Sequence, residues 1–276
     1  MKNLLVSLAI LFGLVFVCGC GEDTLSRDDV APQVPVMVER SDDASYPQTG
    51  VRAEPTPSES NYWVRVEWYR NPEDDIQGYR VRRWSEHDNS NEGYVVADLV
   101  VGVDVVDNDI ISWVDRGNDH FGSPARLLAP NDQGSMRGYW WQVLAYDTAG
   151  NRSFYSDSVY FRMMWNPYNL SVSRFAADDY RLSWNFPIGG ASTFLSFYKL
   201  RVYSAWYGRD SLVWDNQVIL YGDANSVTLG AGGASAPMSN DCTYVWQLNA
   251  VSYAESDTHD VALAGSSVYK SFVYQE

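Results

Sequence analysis

Residues 138–156 read "GYWWQVLAYDTAGNRSFYS", an alternating apolar run followed by a short polar loop. Tyr139, Trp141, Val143 and Ala145 recur at every second position, the spacing at which side chains share one face of a β-strand. The segment therefore predicts a strand whose buried face carries these four residues and whose end is marked by the polar loop.

The same pattern returns in the second half of the chain. Four stretches recur in the same order, which indicates an internal repeat of roughly 110 to 130 residues. The pairs are "VRVEW" (64–68) with "YRLSW" (180–184), "GYRVRRW" (78–84) with "FYKLRVY" (197–203), "YWWQVLA" (139–145) with "YVWQLNA" (244–250), and "SVYFR" (158–162) with "SVYKS" (267–271).

The polar loop after the strand, "DTAGN" at 147–151, permits a turn, a metal loop or a recognition loop. The second copy carries "ESDTHDVALAG" in its place, so the strands repeat while the loop does not. Gly150 and Asn151 tolerate positive φ, and the Asp147 side chain can accept hydrogen bonds from backbone N–H groups. We expect a compact turn that reverses the chain.

These strands resemble fibronectin type III domains, more closely over 60–162 than over 163–276. The resemblance rests on the strand ending in Trp68, on "GYRV", on the strand from Tyr139, on "DTAGNRSFYS" and on "ISWVDRG" (111–117). It implies an all-β chain of two immunoglobulin-like antiparallel β-sandwiches in tandem, with Tyr139 and Tyr244 at the tyrosine-corner position. The other residues expected to have structural roles are Trp68, Trp141, Asp147, Gly150, Asn151, Trp184 and Trp246.

The N-terminus, "MKNLLVSLAILFGLVFVCGC", resembles the signal peptide of a bacterial lipoprotein. Its apolar run is shorter than the roughly 20 residues that cross a bilayer as a helix. The resemblance predicts removal of 1–19, lipidation of Cys20 and an exported protein anchored in the cell envelope. Gly21 in place of Asp favours an outer over an inner membrane. The alternatives are an ordinary cleaved signal and a retained anchor.

The expected domain organisation follows from these patterns. An acidic, Pro-containing tether is predicted over 20–33, with disorder up to about 58 as the wider alternative, because its composition cannot form a packed core. Within it "VPVMVE" (34–39) is the best candidate for a first strand. The two sandwiches are then expected at 34–162 and 163–276, the second more divergent.

Composition limits the chemistry. The formal charge of −15 opposes non-specific binding to nucleic acid, which needs a basic face. No histidine has metal-site spacing, and neither a nucleophile elbow nor a phosphate loop is present. We therefore expect no enzymatic activity and no cofactor. Asp104, Asp107 and Asp109 are weak calcium candidates, against the simpler interpretation as solvated turns.

One face of the first sandwich is the candidate interaction surface. Strands that neighbour each other in a sheet place their outward side chains together. The face predicted from the strands at 78–84 and 139–145 consists of Arg80, Arg82, Trp84, Trp140, Gln142 and Leu144. Exposed Trp side chains mark interfaces, although Arg stems can simply cover the rings, or the other domain can pack there.

The sequence favours a non-catalytic, lipid-anchored envelope protein whose sandwiches serve as spacer and interaction module for a protein or surface partner. The alternative is a carbohydrate-binding accessory lipoprotein that uses exposed Trp and Tyr. A hydrolase with widely separated catalytic residues is a third possibility. The partner would be a protein or polysaccharide of the envelope, and the oligomeric state stays open.

Overall fold

The structure is a computed structural model in which fourteen strands and no helix are formed by the described residues. None of these residues therefore belongs to an apolar helix long enough to cross a membrane. The predicted signal peptide and Cys20 lie outside the described part of the chain. The described residues are 28–39, 49–56, 61–85, 93–117, 137–176, 179–186, 195, 197–205, 212–220, 225–229, 238–251 and 267–275.

The first half forms two antiparallel sheets with the orders β1-β2-β5 and β4-β3-β6-β7. Buried and partly exposed side chains alternate most regularly in the second and seventh strands, and the inward faces of the two sheets form one hydrophobic core. The strands are β1 (Val51–Glu54), β2 (Trp63–Tyr69), β3 (Ile76–Ser85), β4 (Tyr94–Val100), β5 (Ile110–Asp115), β6 (Arg137–Asp147) and β7 (Val159–Met163).

The second half repeats this topology. Its sheets have the orders β12-β9-β8 and β11-β10-β13-β14, so β8 to β14 occupy the places of β1 to β7. The predicted fold class, two immunoglobulin-like sandwiches of the fibronectin type III kind, is confirmed by this strand order. The strands are β8 (Tyr168–Ala176), β9 (Asp179–Asn185), β10 (Phe197–Ser204), β11 (Leu212–Leu220), β12 (Ser226–Leu229), β13 (Thr243–Val251) and β14 (Ser267–Val273).

Each core contains the same kind of aromatic contact between its two sheets. In the first core the rings of Trp68 on β2 and Tyr79 on β3 meet edge to face, with centroids 5.2 Å apart. In the second, Trp184 on β9 and Tyr198 on β10 make the same contact at 5.2 Å. Such pairs add about 0.5–1.5 kcal/mol beyond burial of their area. The repeat therefore extends from sequence to core packing.

Hydrogen bonds join described residues of the two halves. The backbone N–H of Tyr269 on β14 donates to the carbonyl of Thr56 at 3.2 Å. The side-chain amide of Asn166 donates to the carbonyl of Asn61 at 2.8 Å. The first core extends to Met163 and the second includes its neighbour Met164, while the exact domain boundaries stay predictions.

The segment before β1 lies against the first sandwich, including residues expected in the tether. The side-chain amide of Asn71 donates to the carbonyl of Gln33 at 2.7 Å. Met37, only 6% exposed, belongs to the core. Burial of the Met37 side chain therefore holds this segment, although the composition of the stretch up to Gln33 is that of a solvated linker.

The first strand differs from the sequence expectation. The "VPVMVE" stretch forms a single isolated bridge, between Met37 and Trp68. The strand that pairs with β2 is instead β1, Val51–Glu54. The pairing changes at Gly50, whose N–H donates to the Val38 carbonyl at 2.7 Å and whose carbonyl accepts from the Glu67 N–H at 2.8 Å, so that β1 takes over the edge of β2 from this point.

Candidate interaction face

An aromatic ladder crosses the outer face of the β4-β3-β6-β7 sheet. It consists of Trp84 on β3, Trp140 on β6 and Tyr160 on β7, which are direct cross-strand partners. The two indoles stack with centroids 5.9 Å apart and planes 6° from parallel. The Tyr160 ring lies 4.7 Å from Trp140. Cross-strand pairing thus brings together side chains that are distant in sequence.

Arg82 is fixed beside the ladder by three groups. Its Nε donates to Gln142 Oε1 at 2.9 Å, and its guanidinium lies 3.8 Å from the centroid of the Tyr155 ring. The same guanidinium is 5.8 Å from the Trp84 ring. Gln142 in turn donates to the carbonyl of Ser156 at 2.7 Å. These contacts hold the Tyr155 ring against the sheet.

The other arginines on this face also contact aromatic rings. Arg80 pairs with Asp98 at 2.8 Å and lies 5.8 Å from the Tyr146 ring. Burial, together with the hydrogen bond and negative charge of Asp98, raises the pKa of Tyr146 to about 12. Arg162 Nε donates to the Tyr160 hydroxyl at 2.8 Å. Tyr146 therefore remains neutral at physiological pH.

The predicted face comes together, but it is less open than the sequence suggests. Trp84 and Trp140 are only partly exposed because each covers the other's ring. Leu144 is 6% exposed and contributes no open surface. Tyr160 was not among the residues expected on this face, although its outward position between buried Val159 and Phe161 follows from strand alternation.

A groove of about 570 Å³ lies beside the ladder. It is bounded by the segment 34–37 and by the stretch 155–160 that leads into β7. Several of its residues are exposed, among them Val36 at 62%. Its lining residues are Val34, Pro35, Val36, Met37, Thr49, Trp140, Tyr155, Asp157, Ser158, Val159 and Tyr160.

The equivalent face of the second sandwich differs at its two basic residues. Lys199 and Arg201 on β10 occupy the positions of Arg80 and Arg82, yet they are only 6% and 8% exposed. Tyr203, Val245 and Gln247 on the same face are partly exposed. The two copies thus share a topology but differ in which surfaces reach solvent.

The "DTAGN" loop is the turn expected between β6 and β7. Gly150 has a φ of +90°, a conformation that favours glycine. The Asn151 backbone N–H donates to Asp147 Oδ1 at 2.8 Å, and its side-chain amide donates to Oδ2 at 2.9 Å. The same amide donates to the carbonyl of Asp28 at 2.7 Å. The turn therefore also holds the N-terminal segment.

Three carboxylates meet at this turn. Oxygens of Asp28, Asp75 and Asp147 lie within 4.8 Å of one another. Burial, a hydrogen bond with Asp28 and the neighbouring charges raise the pKa of Asp75. Burial opposes ionisation of Asp147 as well, but hydrogen bonds from Asn151, Ala149 and Gly150 outweigh it and lower that pKa. No spacing of carboxylates along the chain indicates this cluster, because Asp28 is distant in sequence from Asp75 and Asp147.

The calcium candidates are not brought together. Asp104 accepts a hydrogen bond from the Val100 backbone N–H at 2.9 Å. Asp107 pairs with Arg70 at 2.9 Å, and Asp109 is exposed. Among the described residues only the cluster at the turn gathers three carboxylates.

A buried ion pair connects the two sheets of the first sandwich. Arg83 on β3 donates to Asp115 Oδ2 on β5 at 2.6 Å, and both side chains are 2% exposed. Trp141 Nε1 donates to the same oxygen at 3.0 Å. Asp115 Oδ1 accepts from the Gly117 backbone N–H at 2.9 Å. The Asp115 carboxylate is thus compensated by further hydrogen bonds, whereas Arg83 Nε is buried without a hydrogen-bond partner.

The expected tyrosine corner is visible in the second sandwich. The backbone N–H of Ser239 donates to the Tyr244 hydroxyl at 2.7 Å. Tyr139 is 1% exposed and packs against Trp141, but the residues just before β6 lie outside the described part of the chain. Trp184 and Trp246 are also buried, at 2% and 0% exposure.

Comparison with models of protein families finds no match, and comparison with curated proteins finds none either. Among solved structures, the FN1–FN3 domains of chicken CNTN1 share 12% identity, with a TM-score of 0.30, over 90% of this chain and 68% of that one. A computationally redesigned β-sandwich protein shares 16% identity, with a TM-score of 0.28, over 40% of this chain and 89% of that one. Neither similarity adds to what the strand order shows.

Proposed function

We propose that the chain is a non-catalytic, lipid-anchored protein of the cell envelope whose tandem sandwiches act as spacer and interaction module. The first sandwich would bind the partner through the surface around the aromatic ladder. The observation that carries this proposal is the groove beside Trp140, where aromatic rings, exposed aliphatic side chains and an exposed carboxylate meet. Binding sites typically combine an apolar lining with a few placed polar groups.

The rigidity of the surface supports a binding role. The rings of Trp140 and Tyr160 contact each other, and Arg82 fixes Tyr155. A surface whose side chains are already ordered loses little conformational entropy when a partner binds. The second sandwich, with Lys199 and Arg201 buried, is assigned the spacer role.

A Trp140→Ala substitution tests the binding surface. We expect it to weaken capture of the envelope partner by the immobilised full chain at least about tenfold, since buried aromatic anchors commonly contribute 2 kcal/mol or more. Trp113→Ala is the matched control, because Trp113 is also a partly buried Trp of the first sandwich but lies on β5 of the other sheet. Equal capture by the two variants would remove the ladder from the binding surface.

The lipid anchor is tested separately at the cysteines. Cys20→Ala should abolish lipid attachment, detected by mass spectrometry, and should shift the protein from the membrane fraction to the soluble fraction. Cys18→Ala should leave both unchanged, because Cys18 follows the bulky Val17 and is a poor acceptor. Lipid retained by the Cys20→Ala protein would contradict the proposed anchor.

A further inference from the structure

We infer that the groove between 34–37 and 155–160 is a binding site for a neutral oligosaccharide. The inference rests on the proposed binding role of the first sandwich and names the chemical class of its ligand. The volume of about 570 Å³ lies within the range of roughly 300–1,000 Å³ found for small-molecule sites. It accommodates more than one sugar ring.

The groove is formed before any ligand arrives. One side is held by backbone hydrogen bonds, with the Tyr69 N–H donating to the Val36 carbonyl at 2.8 Å and the Val38 N–H donating to the Glu67 carbonyl at 3.2 Å. Between them Met37 enters the core. This segment therefore has a fixed position relative to the sheet.

The opposite side is held by side-chain contacts. Tyr155 has the Arg82 guanidinium over one face of its ring, and Tyr160 contacts Trp140. All three aromatic residues line the groove. Fixed aromatic rings offer weakly negative faces on which the C–H groups of a sugar ring can pack.

The polar groups favour hydroxylated ligands. Asp157 and Ser158 are exposed and line the groove together with Thr49. A carboxylate accepts hydrogen bonds only, whereas sugar hydroxyls both donate and accept. Charge-assisted bonds of this kind are roughly twice as strong as neutral ones. The aromatic faces can pack against the C–H groups of a sugar ring, and the neighbouring hydroxyl and carboxylate acceptors can bind its hydroxyl groups.

Two other ligand classes fit less well. A proline-rich peptide also binds aromatic grooves, but its proline residues lack N–H groups that could donate to Asp157. An acidic saccharide would be repelled by Asp157 and by the net charge of −15. The hydroxyl groups of a neutral saccharide can donate hydrogen bonds to the Asp157 carboxylate without charge repulsion.

Calorimetry on the lipidated full chain, in a detergent without a sugar head group, tests the inference. The probes are tetramers of β-1,4-linked glucose and of β-1,4-linked N-acetylglucosamine, with tetragalacturonate and a proline-rich decapeptide as comparators. We expect at least one neutral tetramer to bind and neither comparator to do so. Asp157→Asn should weaken that binding about tenfold, the loss of one charge-assisted hydrogen bond.

A groove-filling substitution supplies the decisive variant. Val36→Trp places an indole in the groove from a position that is 62% exposed and should abolish binding. Val103→Trp is the control, since Val103 is 79% exposed, outside the groove, and its substitution should leave affinity unchanged. Thermal melting of both variants verifies that they fold.

Three results would overturn the inference: neither neutral tetramer binds, binding survives Val36→Trp, or the peptide binds in a Val36-sensitive manner. In the last case the proposed interaction function stands and only its ligand class is wrong. Failure of the interaction function itself would appear instead as equal partner capture by Trp140→Ala and Trp113→Ala.

Discussion

At the scale of single residues, Arg83 and Asp115 show how the first sandwich accommodates charge in its core. Two opposed charges taken out of water stabilise a fold only if their geometry is good and their remaining atoms are satisfied. Asp115 meets this condition by accepting hydrogen bonds from Arg83, Trp141 and Gly117, while Arg83 keeps one buried nitrogen, Nε, without a partner. Alternation after Tyr79 and Val81 places Arg83 inward, but its partner on a distant strand could not be identified from spacing.

Asp115→Ala should therefore destabilise the first sandwich by about 3–5 kcal/mol, because it leaves the Arg83 charge buried without its partner. The free energy of unfolding, measured by chemical denaturation, gives the size of the effect. The double variant Arg83→Leu with Asp115→Leu should recover most of the loss, since both charges are removed together. If Asp115→Ala lowers the free energy of unfolding by less than about 1 kcal/mol, the ion pair contributes little to stability.

At the scale of elements, the alternating strands and their order were predictable because the same strand patterns occur in the same order in both halves of the sequence. The inward faces of β2 and β6 follow directly from alternation, as buried Val64, Val66 and Trp141 show. The edge of the sandwich was less predictable. The segment from Asp28 to Val38 has the composition of a linker, and its docking depends on long-range contacts such as the one from Asn151.

Asn151→Ala tests the role of the turn in that docking. The substitution removes the amide that bonds both the Asp147 carboxylate and the Asp28 carbonyl. We expect faster hydrogen exchange across 28–33 and a stability loss of about 1 kcal/mol. Arg152→Ala, at the exposed next position, should change neither. Equal exchange in the two variants would show that the segment is held without the turn.

At the scale of the whole molecule, the two sandwiches differ in the exposure of equivalent basic side chains. The repeat predicted two similar domains, and the shared sheet order bears this out. Sequence alone could not show that Lys199 and Arg201 are buried while their counterparts Arg80 and Arg82 remain partly exposed. Burial of a charged side chain depends on what covers it, and strand periodicity carries no information on that.

Site-specific photo-crosslinking in intact cells tests the central claim most directly. A benzophenone amino acid in place of Phe154, which is 86% exposed and directly precedes Tyr155 of the groove lining, should form an adduct with a protein or saccharide of the envelope, since benzophenone inserts into C–H bonds of either. The same group at Leu212 on β11 of the second sandwich, where the native side chain is 40% exposed, should give none. Equal adducts at both positions, or an adduct only at Leu212, would contradict the assignment of binding to the first sandwich.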